Sequence, residues 1–237
     1  MGCDIHFYVE RKADDGVWES NDTWTPEEYA EEGVQPRLTV DYKNRLYHDR
    51  NYDLFAILAG VRNGRGFAGC DMGDGFNPIS DPRGLPQDVS ALLKAESDNY
   101  GSDGHSHSWF TVNELLAYDW TQKTNLRGVV SGFEYWEWNR WRREDGESPE
   151  SYCGDVSGSL VRRVTESEMK SLLEPFSKED YRVASERIKN ELSQTYCQVQ
   201  WEQPYYKCVR RFWSDVIPRL LRLGNPEDVR VVFWFDN

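Results

Sequence analysis

The chain is short of the residues that most metal and redox motifs require. Of its 237 residues only four are histidine and three methionine. Its five cysteines, Cys3, Cys70, Cys153, Cys197 and Cys208, are odd in number, scattered, and form no C-x-x-C pair, which speaks against a disulfide framework or a cysteine-rich zinc module. No H-E-x-x-H signature occurs, and Asn63-Gly64-Arg65-Gly66 is too short for a glycine-rich phosphate loop. No stretch has the length and apolarity of a membrane span. The opening MGCDIHFYVERK has neither the basic region nor the apolar run of a signal peptide, and it does not continue as a lipidation motif. A reducing cytoplasm is the expected compartment.

Positive charge is also scarce: 28 Lys and Arg stand against 41 Asp and Glu, a net charge of -13. Such a surface repels nucleic acid and anionic membranes, so neither general nucleic-acid binding nor a membrane partner is expected. It leaves room for a local basic pocket that holds a small anion and for an acidic face that mimics nucleic acid. Its plainest use is solubility. Aliphatic residues are few, but aromatics make up 14% and bury large areas each, enough for a real core in one large domain or one domain with an insertion.

The patterning predicts an α+β fold. Ile5–Glu10, Val17–Glu19, Gly128–Trp138 and Val229–Phe235 read as strands of a mixed or antiparallel sheet with the N- and C-terminal strands adjacent. The last is nearly all apolar, so both its faces should be covered. Tyr52–Val61 reads as a buried helix. Thr111 and Glu114 form a capping box for a helix over Val112–Trp120, and shorter helices are expected at Pro26–Glu31 and Asp88–Ser97. Helix starts are expected at Thr165–Glu168 and Ser177–Asp180. The second opens a long helix carrying Tyr181, Ile188, Leu192 and Tyr196 on one face. Another runs over Tyr205–Leu223, kinked at Pro218 and ended by Gly224, making a long helical hairpin in the second half. The expected division is a main domain of residues 1–141 and 225–237 with a helical insertion at 142–224. Gly66–Gly84 is too long and glycine-rich for an ordinary connection and is a candidate functional loop.

Three of the four histidines stand in short polar motifs. Asp4 and His6 share one face of a strand by its period of two, and His105 and His107 do the same if extended. Asp236, at the end of the last strand, approaches the first strand if the two pair. Asp4, His6, His105, His107 and Asp236 thus form a candidate set for a divalent metal (zinc, manganese, iron or magnesium) that would activate water against phosphorus or a carbonyl. Without metal, His6 and His107 with Asp4 would serve as acid and base. Arg62, Asn63, Arg65 and Arg83 lie at glycine turns and are candidates for holding an anion, against the alternative of pairing with nearby aspartates. The segment Tyr135–Trp141 could stack a base or sugar, although such rings more often pack a core. Cys3 falls on the strand face opposite His6, against a thiol mechanism.

The blocks MGCDIHFYVE, RNYDLFAILAGVRNGRGF, PRGLPQDVS, HSHSWFTVNELL and VVFWFDN resemble those of a family encoded by bacteriophages and prophages. They cover the first half and the last residues, not the stretch from Arg142 to Gly224. The resemblance implies a phage protein acting in the host cytoplasm, with counter-defence against nucleotide signalling as the context. It carries over no catalytic residue. The expectation is a metal-assisted hydrolase of a phosphodiester or nucleotide, with a phosphate-bearing small molecule as partner. The alternatives are a non-catalytic sponge for a nucleotide signal and an acidic inhibitor docking on a host protein. Homo-oligomerisation is left open.

Overall fold

A computed structural model describes residues 2–27, 36–141 and 147–237. Its strands are β1 (Asp4–Lys12), β2 (Trp18–Ser20), β3 (Trp24–Pro26), β4 (Leu38–Val40), β5 (His105–Thr111), β6 (Lys123–Ser131), β7 (Arg162–Val164), β8 (Thr195–Pro204) and β9 (Val229–Asp236). Its α-helices are α1 (Tyr52–Ala59), α2 (Ala91–Tyr100), α3 (Val112–Ala117), α4 (Gly132–Trp141), α5 (Glu166–Leu173), α6 (Tyr181–Glu191), α7 (Tyr205–Cys208) and α8 (Ile217–Leu221). The fold is α+β, with the first and last strands adjacent. No helix among the described residues is long and apolar enough to cross a membrane.

The chain divides into two compact units. Unit 1 comprises Met1–Asn63, Asn77–Trp120 and Cys208–Asn237; unit 2 comprises Gly64–Phe76 and Thr121–Lys207. Unit 2 therefore takes in β6 and α4 as well as the 147–207 stretch.

Unit 1 is built on the sheet β2-β1-β9-β5. β1 and β9 run antiparallel from Asp4 opposite Asp236 to Arg11 opposite Val229. Val231 to Phe235 are completely buried, as a nearly all-apolar strand requires. On one face Phe7, Phe233 and Phe235 meet Tyr47, Phe55, Phe110 and Phe212 through ring contacts of 5.0–6.4 Å. On the other, Tyr8, Val232 and Trp234 pack with Val40 of β4 and Leu93 of α2. Each such side chain fully removed from water contributes roughly 1.5–3 kcal/mol. α1 forms because Asn51 caps Leu54 N–H and Gly60 ends it in the left-handed conformation, leaving six consecutive buried residues between. The capping box of Thr111 and Glu114 opens α3 as expected.

Several elements depart from the sequence expectation. Trp24–Pro26 pairs with Leu38–Val40 as a strand instead of opening a helix; residues 28–31 of that expected helix lie outside the described residues. β6 stops at Ser131, and Phe133 to Trp141 are helical, because Ser131 Oγ accepts the Glu134 N–H and caps α4. The helix after Asp180 ends at Glu191, and Tyr196 belongs to β8. A ten-residue strand thus separates the two helical stretches expected to form a hairpin. The second stretch is interrupted, with a π-helical turn at Phe212–Val216 directly ahead of Pro218. Proline has no N–H to donate, and a widened turn accommodates the lost bond.

In unit 2 the sheet order is β6-β8-β7, with β6 and β8 antiparallel over nine residue pairs. β8 alternates buried and exposed residues, with Cys197, Val199, Trp201 and Gln203 inward. Trp138 of α4 meets Trp201 edge-on at 6.5 Å, so the Trp-rich segment serves this core. The Gly73–Leu126 bridge ties the 64–76 segment to β6.

Candidate functional site

The pairing of β1 with β9 fixes where the polar residues at the strand ends go. His6 lies opposite Trp234, and Asp4 opposite Asp236. His6 and Asp236 are therefore diagonal neighbours, and His6 Nε2 stands 3.2 Å from Asp236 Oδ2. Asp236 is the one polar group that faces Nε2, and among the described residues Nδ1 has no hydrogen-bond partner, although the residue is only 6% exposed. Buried polar atoms are almost always satisfied, so the orphan Nδ1 calls for an explanation.

Tyr100, from the end of α2, tilts over the imidazole at 4.1 Å between centroids. Trp234 stacks on it at 5.8 Å. Burial pushes the His6 pKa below its usual value; Asp236 and Glu96 oppose that, and Arg45 reinforces it. The imidazole is thus neutral near pH 7, the form that accepts a proton. Glu96 of α2 is buried, with one oxygen held by the Tyr8 hydroxyl at 3.1 Å and the other unpartnered. Trp234 Nε1 is a further buried orphan beside them. The Arg45 guanidinium donates to Val40 O at 3.3 Å and, among the described residues, forms no ion pair. Its charge acts on His6, Tyr8, Asp22 and Tyr100.

The other expected site residues do not gather here. Asp4 turns to Arg50, which binds both its oxygens at 2.8 and 2.6 Å and holds its pKa down. His107, from β5, stacks on Trp234 of β9 at 5.5 Å, and His6, from β1, stacks on the same indole at 5.8 Å. His107 Nε2 is 2.9 Å from Ser97 Oγ, and burial with two neighbouring histidines lowers its pKa. His105 lies opposite Phe235 and is bonded to Ser106 Oγ at 3.0 Å and to Asn237 Nδ2 at 3.1 Å. The five expected metal ligands are therefore spread along the strand ends, and among the described residues no three His, Cys, Asp or Glu side chains stand close enough to share one ion.

The expected anion-holding residues are dispersed too. Arg62 donates to Gly2 O at 3.3 Å and lies over the Tyr52 ring. Asn63 closes the first stretch of unit 1, whereas Arg65 belongs to unit 2, where its backbone forms an antiparallel β-bridge with Asp71. Arg83 binds Glu114 at 2.7 Å and caps the Phe110 ring at 4.6 Å. Cys3 is buried with its pKa raised by burial, on the face away from His6.

Sequence reasoning missed Arg45, Glu96, Tyr100 and Trp234. A signal existed for Glu96 and Tyr100, since residues four apart on a helix share a face. Nothing local marks Arg45. No family model matches the chain, and neither does any curated protein or solved structure.

Proposed function

We propose that unit 1 is a phage-encoded hydrolase of a phosphodiester or nucleotide in the host cytoplasm, with His6 and Asp236 as its acid–base pair and Arg45 as its anion holder. The observation that carries this reading is the buried His6 with Nε2 against the Asp236 carboxylate, Nδ1 unpartnered and its pKa lowered by burial. In the reaction, His6 accepts the proton of a water that attacks phosphorus. The bond from phosphorus to the leaving oxygen breaks, and the imidazolium returns the proton to that oxygen. Asp236 stabilises the transient imidazolium, and Arg45 the charge on the phosphoryl oxygens. The block resemblance to phage proteins supports the setting, including an action against host nucleotide signals. A divalent metal held by His6 and Asp236 would supply water activation to the same chemistry.

The test is turnover of bis(p-nitrophenyl) phosphate and of cyclic mononucleotides by wild type, His6→Ala and Arg45→Ala, with metal content read by mass spectrometry. Turnover lost in His6→Ala without loss of fold supports the hydrolase. Stoichiometric binding with intact nucleotide recovered on denaturation would replace it by the sponge.

A further inference from the structure

The structure also holds a cleft that this reading does not use. It lies in unit 1, has a volume of about 340 Å³, and is lined by β1, the 21–23 and 44–46 segments and the chain around the end of α8. Its size falls in the range of small-ligand sites. Its chemistry is uneven in an informative way. Val9, Leu46 and Leu223 give it an apolar patch. Asn21, Thr23 and Asn44 are exposed side chains that both donate and accept hydrogen bonds. Arg219 and Arg222 bring two guanidiniums to one wall, in a protein of net charge -13.

Neither cation is tied up. Arg219 has only a loose contact with Asp215, at 3.6 Å. Arg222, among the described residues, forms no ion pair. Arg222 follows directly on α8, so its backbone is fixed while its side chain reaches out. The one acid in the lining, Asp22, has Oδ2 held by the Val9 N–H at 2.8 Å. Burial and Glu10 push its pKa up to about 6, against the pull of Arg45.

Asn44 and Leu46 line this cleft, and the charge of Arg45 between them acts on Asp22 of the lining as well as on His6 and Tyr100. The one segment thereby serves two places.

We propose that this cleft binds a phosphomonoester, with Arg219 and Arg222 on the phosphate and Asn21, Thr23 and Asn44 on the hydroxyl-bearing body. Two forked guanidiniums suit the tetrahedral oxyanion, and the amides and hydroxyl suit a small polar body beside the apolar floor. The site stands independently of the His6 chemistry.

The test is an amide NMR titration of the whole chain with glycerol 2-phosphate and inorganic phosphate, and with glycerol as the uncharged control. Saturable shifts at Asn21, Thr23 and Arg222 are expected with glycerol 2-phosphate, weaker ones with phosphate, and none with glycerol. Arg222→Gln, at an exposed position, should weaken binding about tenfold, the value of one charge-assisted bond. Asp22→Asn should tighten it at pH 7 by removing a negative charge while leaving an oxygen for the Val9 N–H. His6→Ala should leave it unchanged. Absence of saturable shifts at these amides, or unchanged affinity in Arg222→Gln, overturns the proposal. Loss of turnover in His6→Ala with binding here intact would separate the two sites.

Discussion

His6 and Asp236 meet diagonally across the β1–β9 seam, 3.2 Å apart, although 230 positions separate them in the 237-residue chain. Burial lowers the His6 pKa, Asp236 and Glu96 raise it, and Arg45 lowers it. A proton NMR titration of the imidazole should therefore place its midpoint below the usual 6.5. Asp236→Asn and Glu96→Gln should each move it lower, and Arg45→Ala higher. A midpoint at or above 6.5 in wild type would remove the neutral base on which the proposed chemistry rests. Turnover, where measured, should fall on the acid side at that same midpoint.

Arg230 of unit 1 is a buried cation, 2% exposed, and it binds Glu10 Oε2 at 2.7 Å and Asp88 Oδ1 at 2.7 Å beneath the Trp18 ring. Glu10 is fully buried and also accepts the Ser90 N–H. Arg230→Met would leave the Glu10 carboxylate without its cation. Removing one partner of a buried pair costs about 3–5 kcal/mol. Urea unfolding should show that loss for Arg230→Met and a smaller one for Asp88→Asn, whose partner keeps Glu10. Equal losses would mean that the exposed arm matters as much as the buried one.

The legible parts of the fold were those with a local cause. The apolar run of β9, the buried run of α1 and the Thr111–Glu114 box each act within a few residues and formed as expected, although Gly60 ends α1 short of the expected Val61. β8 was equally local, since Thr195 to Gln203 alternates, but its Tyr196 also fits the helical stripe of Tyr181, Ile188 and Leu192. The Ser131–Glu134 cap was visible too, and the rings after Gly128 masked it as a strand. The site was legible only in part. Strand adjacency made Asp236 a neighbour of His6, but whether Asp4 would turn to His6 or to Arg50 depends on a partner 46 residues away. The gathering of Arg45, Glu96 and Tyr100 is tertiary, and no spacing encodes it.

Gly73 offers a test confined to unit 2. Its φ is +132°, and an added Cβ would fall 2.1 Å from Asn125 O, a backbone atom that cannot swing aside. Gly73→Ala should cost on the order of 2–4 kcal/mol, from backbone strain and from loss of the bridge to β6. Hydrogen exchange should show faster amide exchange at Arg127, which donates to Met72 O, and at Asp74, which donates to Asn125 O. An alanine variant with wild-type protection at both amides would show that the segment finds another route over β6.

Asp53, in the first turn of α1, has its pKa pushed up to about 7 by burial alone. A native pKa above the unfolded value of 3.8 means that the folded chain holds the proton more tightly. The resulting stabilisation is complete below the unfolded value and is lost as pH rises through about 7, where the native state must carry the charge. Asp53→Asn keeps the shape and removes the titration. The helix N-terminus favours the lost charge by about 0.3–1 kcal/mol, which subtracts from the gain. The variant should accordingly be more stable than wild type by about 1–2 kcal/mol at pH 8 and nearly equal to it at pH 4. Urea unfolding at the two pH values decides the matter. A gain that is the same at both would trace to packing, and a loss at pH 8 would mean that the carboxylate is paired in solution.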